Sequence, residues 1–151
     1  MDEEKSIRQI LDEYGKYTSL TSGTSMWPLL HHHRDNIIVV KPEERLKKYD
    51  VALYEKNSQY IMHRVCEVHD DHYIIIGDNL KTREYVTDDM ICGKLIGFYK
   101  NGKRYIDLET NKLYKFYSRV WVALYPVRGV QIFFGRAVRF IERKLFKVEY
   151  N

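Results

Sequence analysis

Cysteine is nearly absent from this chain: 151 residues contain two, Cys66 and Cys92. Two cysteines outside any C-x-x-C pair exclude a disulfide framework and read as small buried hydrophobes in a reducing compartment. Long apolar runs are missing as well. No stretch reaches the roughly 18 apolar residues that a membrane span requires. The best candidate, Val120 to Phe134, is interrupted by Pro126, Arg128 and Gly129. The opening Met1-Asp2-Glu3-Glu4-Lys5 is acidic and leads into no apolar segment, so no secretory signal is expected. There is no phosphate-binding glycine loop, no dinucleotide fingerprint, no nucleic-acid-binding motif and no internal repeat, so neither a cofactor nor a nucleic-acid partner is expected. A cytoplasmic protein is the expectation.

What is present is globular. Hydrophobic residues at 44% and charged residues at 30% exclude wholesale disorder and allow one ordinary domain with a genuine core. The net charge of +4 is unevenly spread. Residues 112–151 hold nine Lys/Arg against two Asp/Glu, while residues 1–111 hold 16 against 19. A slightly acidic body thus carries a basic tail.

Periodicity divides the chain in the same place. Ile7, Ile10, Leu11 and Tyr14 make one apolar stripe, predicting an amphipathic helix over 2–17, ended by Gly15 and the Thr/Ser-rich segment Thr18 to Thr24. Residues 25–108 read as β: Ile37 to Val40, Val51 to Tyr54, Tyr60 to Val68, Tyr73 to Ile76, Ile91 to Tyr99 and Arg104 to Leu108. Asn101-Gly102 between the last two is a type I′ hairpin signal. After residue 111 the period becomes helical. Leu113, Phe116, Tyr117, Val120, Trp121 and Leu124 form one stripe, and Val130, Phe133, Phe134, Ala137, Ile141 and Leu145 form a second beyond Pro126 and Gly129. The expected fold is mainly β and α+β overall, with a β domain and its N-terminal helix at 1–111 and a basic helical appendage at 112–151. The appendage either packs on the body or lies on an anionic membrane surface.

Three short segments could carry chemistry. Gly23-Thr24-Ser25-Met26-Trp27-Pro28 stands where the first helix has ended and the β body begins. A nucleophilic serine needs a tightly turned backbone with N–H groups aimed at the developing oxyanion, and flanking glycine and proline would shape such a turn. A plain connecting loop is the alternative. His63 shares a strand face with Ile61 and Val65, as either a core histidine or a general base. Gly77-Asp78-Asn79 follows a strand directly. It reads as a simple turn, or as part of a site in which Asp78, Glu84 or Asp88-Asp89 orients a histidine. His31-His32-His33 has no partner at a ligand spacing and reads as a solvated loop rather than a metal site.

Taken in order, these segments resemble the type I signal peptidase family and its LexA-type relatives. Ser25-Met26-Trp27-Pro28 is similar to the S-M-x-P nucleophile box. Arg34 to Val40 and Tyr49 to Tyr54 resemble the two G-D-x-V-type strand openings that follow it. His63-Arg64-Val65 matches the box of the general base. Gly77-Asp78-Asn79 and Ile91-Cys92-Gly93-Lys94-Leu95-Ile96-Gly97 resemble the G-D-N box and the closing I-x-G-K strand. Histidine rather than lysine at position 63 is the pattern of the archaeal and endoplasmic-reticulum type. The resemblance implies a coiled antiparallel β body with a short N-terminal helix. It also implies a serine endopeptidase with Ser25 as nucleophile and His63 as base, and Glu84, or in second place Asp78, as the orienting acid. Ser22, Thr24 and Met26 would stand on the oxyanion and substrate side. The substrate would be a peptide or precursor protein, cut after small residues in a leader-like segment.

The 24 residues before Ser25 are polar, so no N-terminal membrane anchor is expected, a departure from the family's pattern. Two alternatives stand beside the peptidase. A LexA-type self-cleaving regulator is disfavoured, because no alanine precedes Ala52 and the one Cys-Gly pair, Cys92-Gly93, lies inside the closing strand. A catalytically idle member would keep the fold as a peptide-binding or membrane-tethering module.

Overall fold

A computed structural model describes residues 5–127 and 133–141. Helix α1 spans Ile7–Tyr14. Ser6 accepts from the Gln9 N–H while the Gln9 side chain accepts from the Ser6 N–H, a reciprocal cap that starts the helix where the apolar stripe begins. Gly15, at φ +71°, ends it in the left-handed conformation. The segment expected to continue this helix into a loop instead becomes strand β1, Lys16–Leu20, paired antiparallel along β2. Its five residues alternate exposed and half-buried, as a strand at the edge of a sheet does.

The remaining strands are β2 (Asn36–Val40), β3 (Val51–Lys56), β4 (Gln59–Val68), β5 (His72–Ile76), β6 (Glu84–Thr87), β7 (Ile91–Lys100) and β8 (Arg104–Asp107). The fold is a mainly antiparallel β sheet with helices attached, ordered β1-β2-β7-β3-β4-β5-β6, with β8 also on β7. Eight strands stand where six are legible in the sequence, β1 and β6 being the additions. Asn101 and Gly102, both at positive φ, form the β7–β8 turn that Asn-Gly signals. Register shifts at Ile38/Val39, Leu53/Tyr54 and Val65/Glu67 interrupt three ladders, and such bulges bend and twist a sheet.

Both faces of the sheet are covered. On β3, Val51 and Leu53 enter one core with Leu11, Met26, Leu30 and Phe98, while Ala52 and Tyr54 enter a second with Val65, Tyr73, Ile75 and Val86. A third, smaller core joins Cys66 and Ile76 to Val122 of helix α2, Lys112–Ala123. Alternation on β4 therefore sends His63 and Val65 to one side and Arg64 and Cys66 to the other.

Arg64 is wholly buried and is the largest side chain at that depth. Its Nε and Nη2 donate to Asp78 Oδ1 and Oδ2, both at 2.8 Å, and its Nη1 donates to the Tyr49 carbonyl and the Tyr114 hydroxyl. Helix α2 closes the network: the Tyr117 hydroxyl donates to Asp78 Oδ2 at 2.7 Å, and Trp121 Nε1 donates to the Asp78 carbonyl at 2.9 Å. Burial alone would lower the Arg64 pKa, but the Asp78 carboxylate more than offsets this and holds it well above the ordinary value. The change of period at residue 112 thus marks a change of secondary structure, with the first tail helix docked on the body. A short 3-10 turn, Tyr125–Val127, follows, and helix α3 spans 133–141. Val130, Leu145 and the start of the helix expected from residue 2 lie outside the described residues.

Removing one member of a bidentate buried pair leaves the other charged and unpaired, at a cost of about 3–5 kcal/mol. Asp78→Ala is expected to lower unfolding free energy by that order in a denaturant titration. An exposed control, Asp12→Ala, should change it by less than about 1 kcal/mol.

Candidate active site

Ser25 lies in the segment between β1 and β2, and the Gly77–Asn79 turn after β5 holds it by direct hydrogen bonds. Asn79 N–H donates to the Ser25 carbonyl at 2.8 Å, and Asn79 Nδ2 donates to the Thr24 carbonyl at 3.1 Å. Gly23, at φ +83°, starts the turn, and its N–H donates to His32 Nδ1 at 2.8 Å. The histidine triplet therefore supplies a loop anchor. Among the described residues, neither the Ser25 nor the Met26 N–H donates to a protein acceptor, which leaves two adjacent donors beside the serine hydroxyl.

Gly77 is the point at which the candidate residues meet. A Cβ placed on it would lie 2.8 Å from the Ser25 carbonyl oxygen and 3.0 Å from His63 Cδ2. Only a residue without a side chain lets the nucleophile turn and the histidine close on this turn together. The ring atom that faces Gly77 is Cδ2. Neither Nε2 nor the Ser25 hydroxyl bonds a described side chain, so no hydrogen bond joins the two, and His63 does not line the cleft beside Ser25. Catalytic hydrogen bonds are often long or poorly aligned in unliganded sites and tighten when substrate binds.

The other edge of the ring is occupied. His63 Nδ1 lies 3.0 Å from the Tyr54 hydroxyl and 4.0 Å from Glu84 Oε1, whose second oxygen accepts from Lys56 Nζ at 3.1 Å. Burial pushes the His63 pKa below its ordinary value, opposed by the charges of Glu84 and then Asp78. Burial and the neighbouring Glu84 charge push the Tyr54 phenol well up, so it stays protonated at neutral pH. Of the two acids expected from sequence, Glu84 stands at the histidine's outer edge, while both oxygens of Asp78 are engaged by Arg64 and Tyr117. Asp88 is held by the Tyr73 hydroxyl and Arg45, and Asp89 by Thr87, away from the ring.

Tyr54 is the member that sequence reasoning missed. It faces Ile61 in the β3–β4 ladder, and Ala52 faces His63, so Tyr54 is the diagonal same-face neighbour of the histidine. Only a register assignment could have found it.

A cleft of about 380 Å³ opens beside Ser25. Ser22, Gly23, Ser25 and Met26 form one wall, β1 residues Tyr17 and Ser19 another, and Tyr60, Ile61 and Met62 of β4 a third. Ser22 and Thr24 are exposed, whereas the Met26 side chain is 5% exposed and belongs to the first core. Compared with protein-family models and with curated proteins, the chain matches none.

Gly77→Ala tests the convergence directly. The added methyl would force the Ser25 turn or the His63 ring to move. The expected outcome is a folded protein with a lowered Tm and a displaced His63 imidazole resonance in NMR spectra. An unchanged imidazole resonance would show that the turn and the ring do not share this space.

Proposed function

We propose that this protein is a serine endopeptidase that processes a peptide or precursor protein through an acyl-enzyme. The observation that carries the proposal is the convergence at Gly77 of the Ser25 turn and the His63 ring, with two N–H donors beside the serine that bond no described acceptor. In this reading Ser25 Oγ attacks the scissile carbonyl and its proton passes to His63 Nε2. The Ser25 and Met26 N–H groups, helped by the Ser22 or Thr24 hydroxyl, take the oxyanion. The protonated His63 then donates to the leaving amine, and water hydrolyses the acyl-enzyme with the same histidine as base.

Glu84 is assigned the orienting role, acting with the Tyr54 hydroxyl on Nδ1. Asp78 is assigned a structural one, fixing the turn on which the site closes. The ordered sequence boxes support a signal peptidase/LexA-like fold for the β body, and the three bulges suit the coiling that such a body requires. A peripheral position at a membrane accompanies this reading. Among the described residues no helix is long and apolar enough to cross one.

Ser25→Ala and His63→Ala should each lower kcat on a cleaved precursor by at least about a thousandfold, and only Ser25→Ala should also abolish labelling by a fluorophosphonate at its own hydroxyl. Lack of labelling in the wild type at any pH would leave the idle-module alternative standing. The pH dependence has a definite sign. The neutral imidazole is the base, and its pKa in the fold is below the ordinary 6.5, so kcat/KM should rise with pH through an acid limb centred below 6.5. Glu84 favours the protonated ring, so Glu84→Gln should move that midpoint lower still while reducing kcat.

A further inference from the structure

Helix α2 is apolar on two sides. Tyr114, Ser118, Trp121 and Val122 turn toward the body, and Ser118 and Val122 are fully buried there. On the other side Leu113, Phe116 and Leu124 stand exposed at i, i+3 and i+11, with half-buried Val120 between them at i+7, a second apolar stripe. Leu113 is 80% exposed and Phe116 69%.

Helix α3 repeats the arrangement. Its inner face lies on the nucleophile turn: a Cβ on Gly135 would come within 2.6 Å of the Trp27 ring, and the Arg139 guanidinium sits 4.7 Å over that ring and donates to Asn79 Oδ1 at 3.3 Å. Its outer face presents Phe133, Phe134, Phe140 and Ile141, all more than half exposed. Nine of the fifteen exposed large apolar or aromatic side chains in the described chain lie at 113–127 and 133–141.

Charge is equally one-sided. The described residues from 112 onward include Lys112, Lys115, Arg119, Arg136 and Arg139 and no acid. The first four are exposed, and none makes an ion pair with another described residue. At about 100° per residue, Lys112, Lys115 and Arg119 fall along one flank of the outer α2 stripe, and Arg136 falls beside that of α3.

We propose that these two outer faces dock on an anionic lipid bilayer, with the aromatic and aliphatic side chains in the interface and the flanking cations against the headgroups. Charge complementarity selects this occupant. A second copy of the same face would bring cations against cations, because a two-fold contact is self-complementary. Docking needs no catalysis, but it has a consequence for the proposed site. Helix α3 touches Trp27 and Asn79, so the Ser25 turn would stand about one helix diameter, roughly 10 Å, from the interface. Precursors held at the membrane would then meet the cleft without leaving the surface.

The test is co-sedimentation of the full chain with vesicles of phosphatidylcholine alone and of phosphatidylcholine mixed with phosphatidylglycerol. Binding should be roughly tenfold or more tighter to the anionic vesicles and should weaken as salt is raised. Phe133→Ser/Phe134→Ser should reduce it by a similar factor, as should Leu113→Ser/Phe116→Ser on the other helix. Lys115→Glu/Arg119→Glu should remove the preference for anionic lipid. All six side chains are exposed, and an unchanged Tm confirms that each variant folds. Equal partitioning into both vesicle types, or binding indifferent to all three variants, overturns the proposal. So does a concentration-dependent dimer, seen by sedimentation velocity without lipid, that the serine variants abolish. Ser25→Ala separates this from the peptidase reading. It should lose the fluorophosphonate label yet bind vesicles as the wild type does; a wild type that docks but takes no label sinks only the peptidase, and one that is labelled but does not dock sinks only the docking.

Discussion

The Arg64–Asp78 pair is the contact on which the rest of the structure depends. Two charges with almost no solvent access are tolerable only if each is paired and its remaining hydrogen-bonding capacity is met. Here the guanidinium meets a carboxylate, a backbone carbonyl and a tyrosine hydroxyl, and the carboxylate meets a second tyrosine. The pair ties β4, the turn after β5 and helix α2 into one unit. Arg64 follows His63 and Asp78 follows Gly77, so the same bond sets the distance between the histidine and the turn that holds Ser25. Arg64 lies on one side of the strand and His63 on the other.

That division explains how one strand can serve two purposes. Side chains alternate across β4, so Arg64 is satisfied by the polar cage from α2 while His63 enters a mostly apolar face. Burial there keeps the imidazole neutral, the form a general base requires. The Tyr54 hydroxyl occupies Nδ1, with Glu84 4.0 Å away, and no described side chain bonds Nε2. Gly77 completes the arrangement by being small.

Much of the fold was legible because it rests on local patterning. Six of the eight strands are β-branched or aromatic runs bounded by turn residues, and the Asn101-Gly102 turn follows from backbone preferences alone. Strands β1 and β6 were not legible. Lys16–Leu20 and Glu84–Thr87 carry no strong apolar signal and become strands because β2 and β5 offer them a partner. Tyr54 escaped for the related reason that its place beside His63 depends on pairing register, which sequence spacing does not reveal.

The tail shows most clearly where sequence ends and tertiary structure begins. The change of period near residue 112 and the excess of lysine and arginine beyond it are properties of the sequence alone, since periodicity and composition need no partner. The meeting of the Ser25 turn and the His63 ring at Gly77, the separation of Glu84 from Asp78, and the division of α2 into a docked side and a more exposed side arise only when the chain folds. Each of these depends on which segments lie opposite one another, and residues tens of positions apart acquire a distance only once the chain between them has folded.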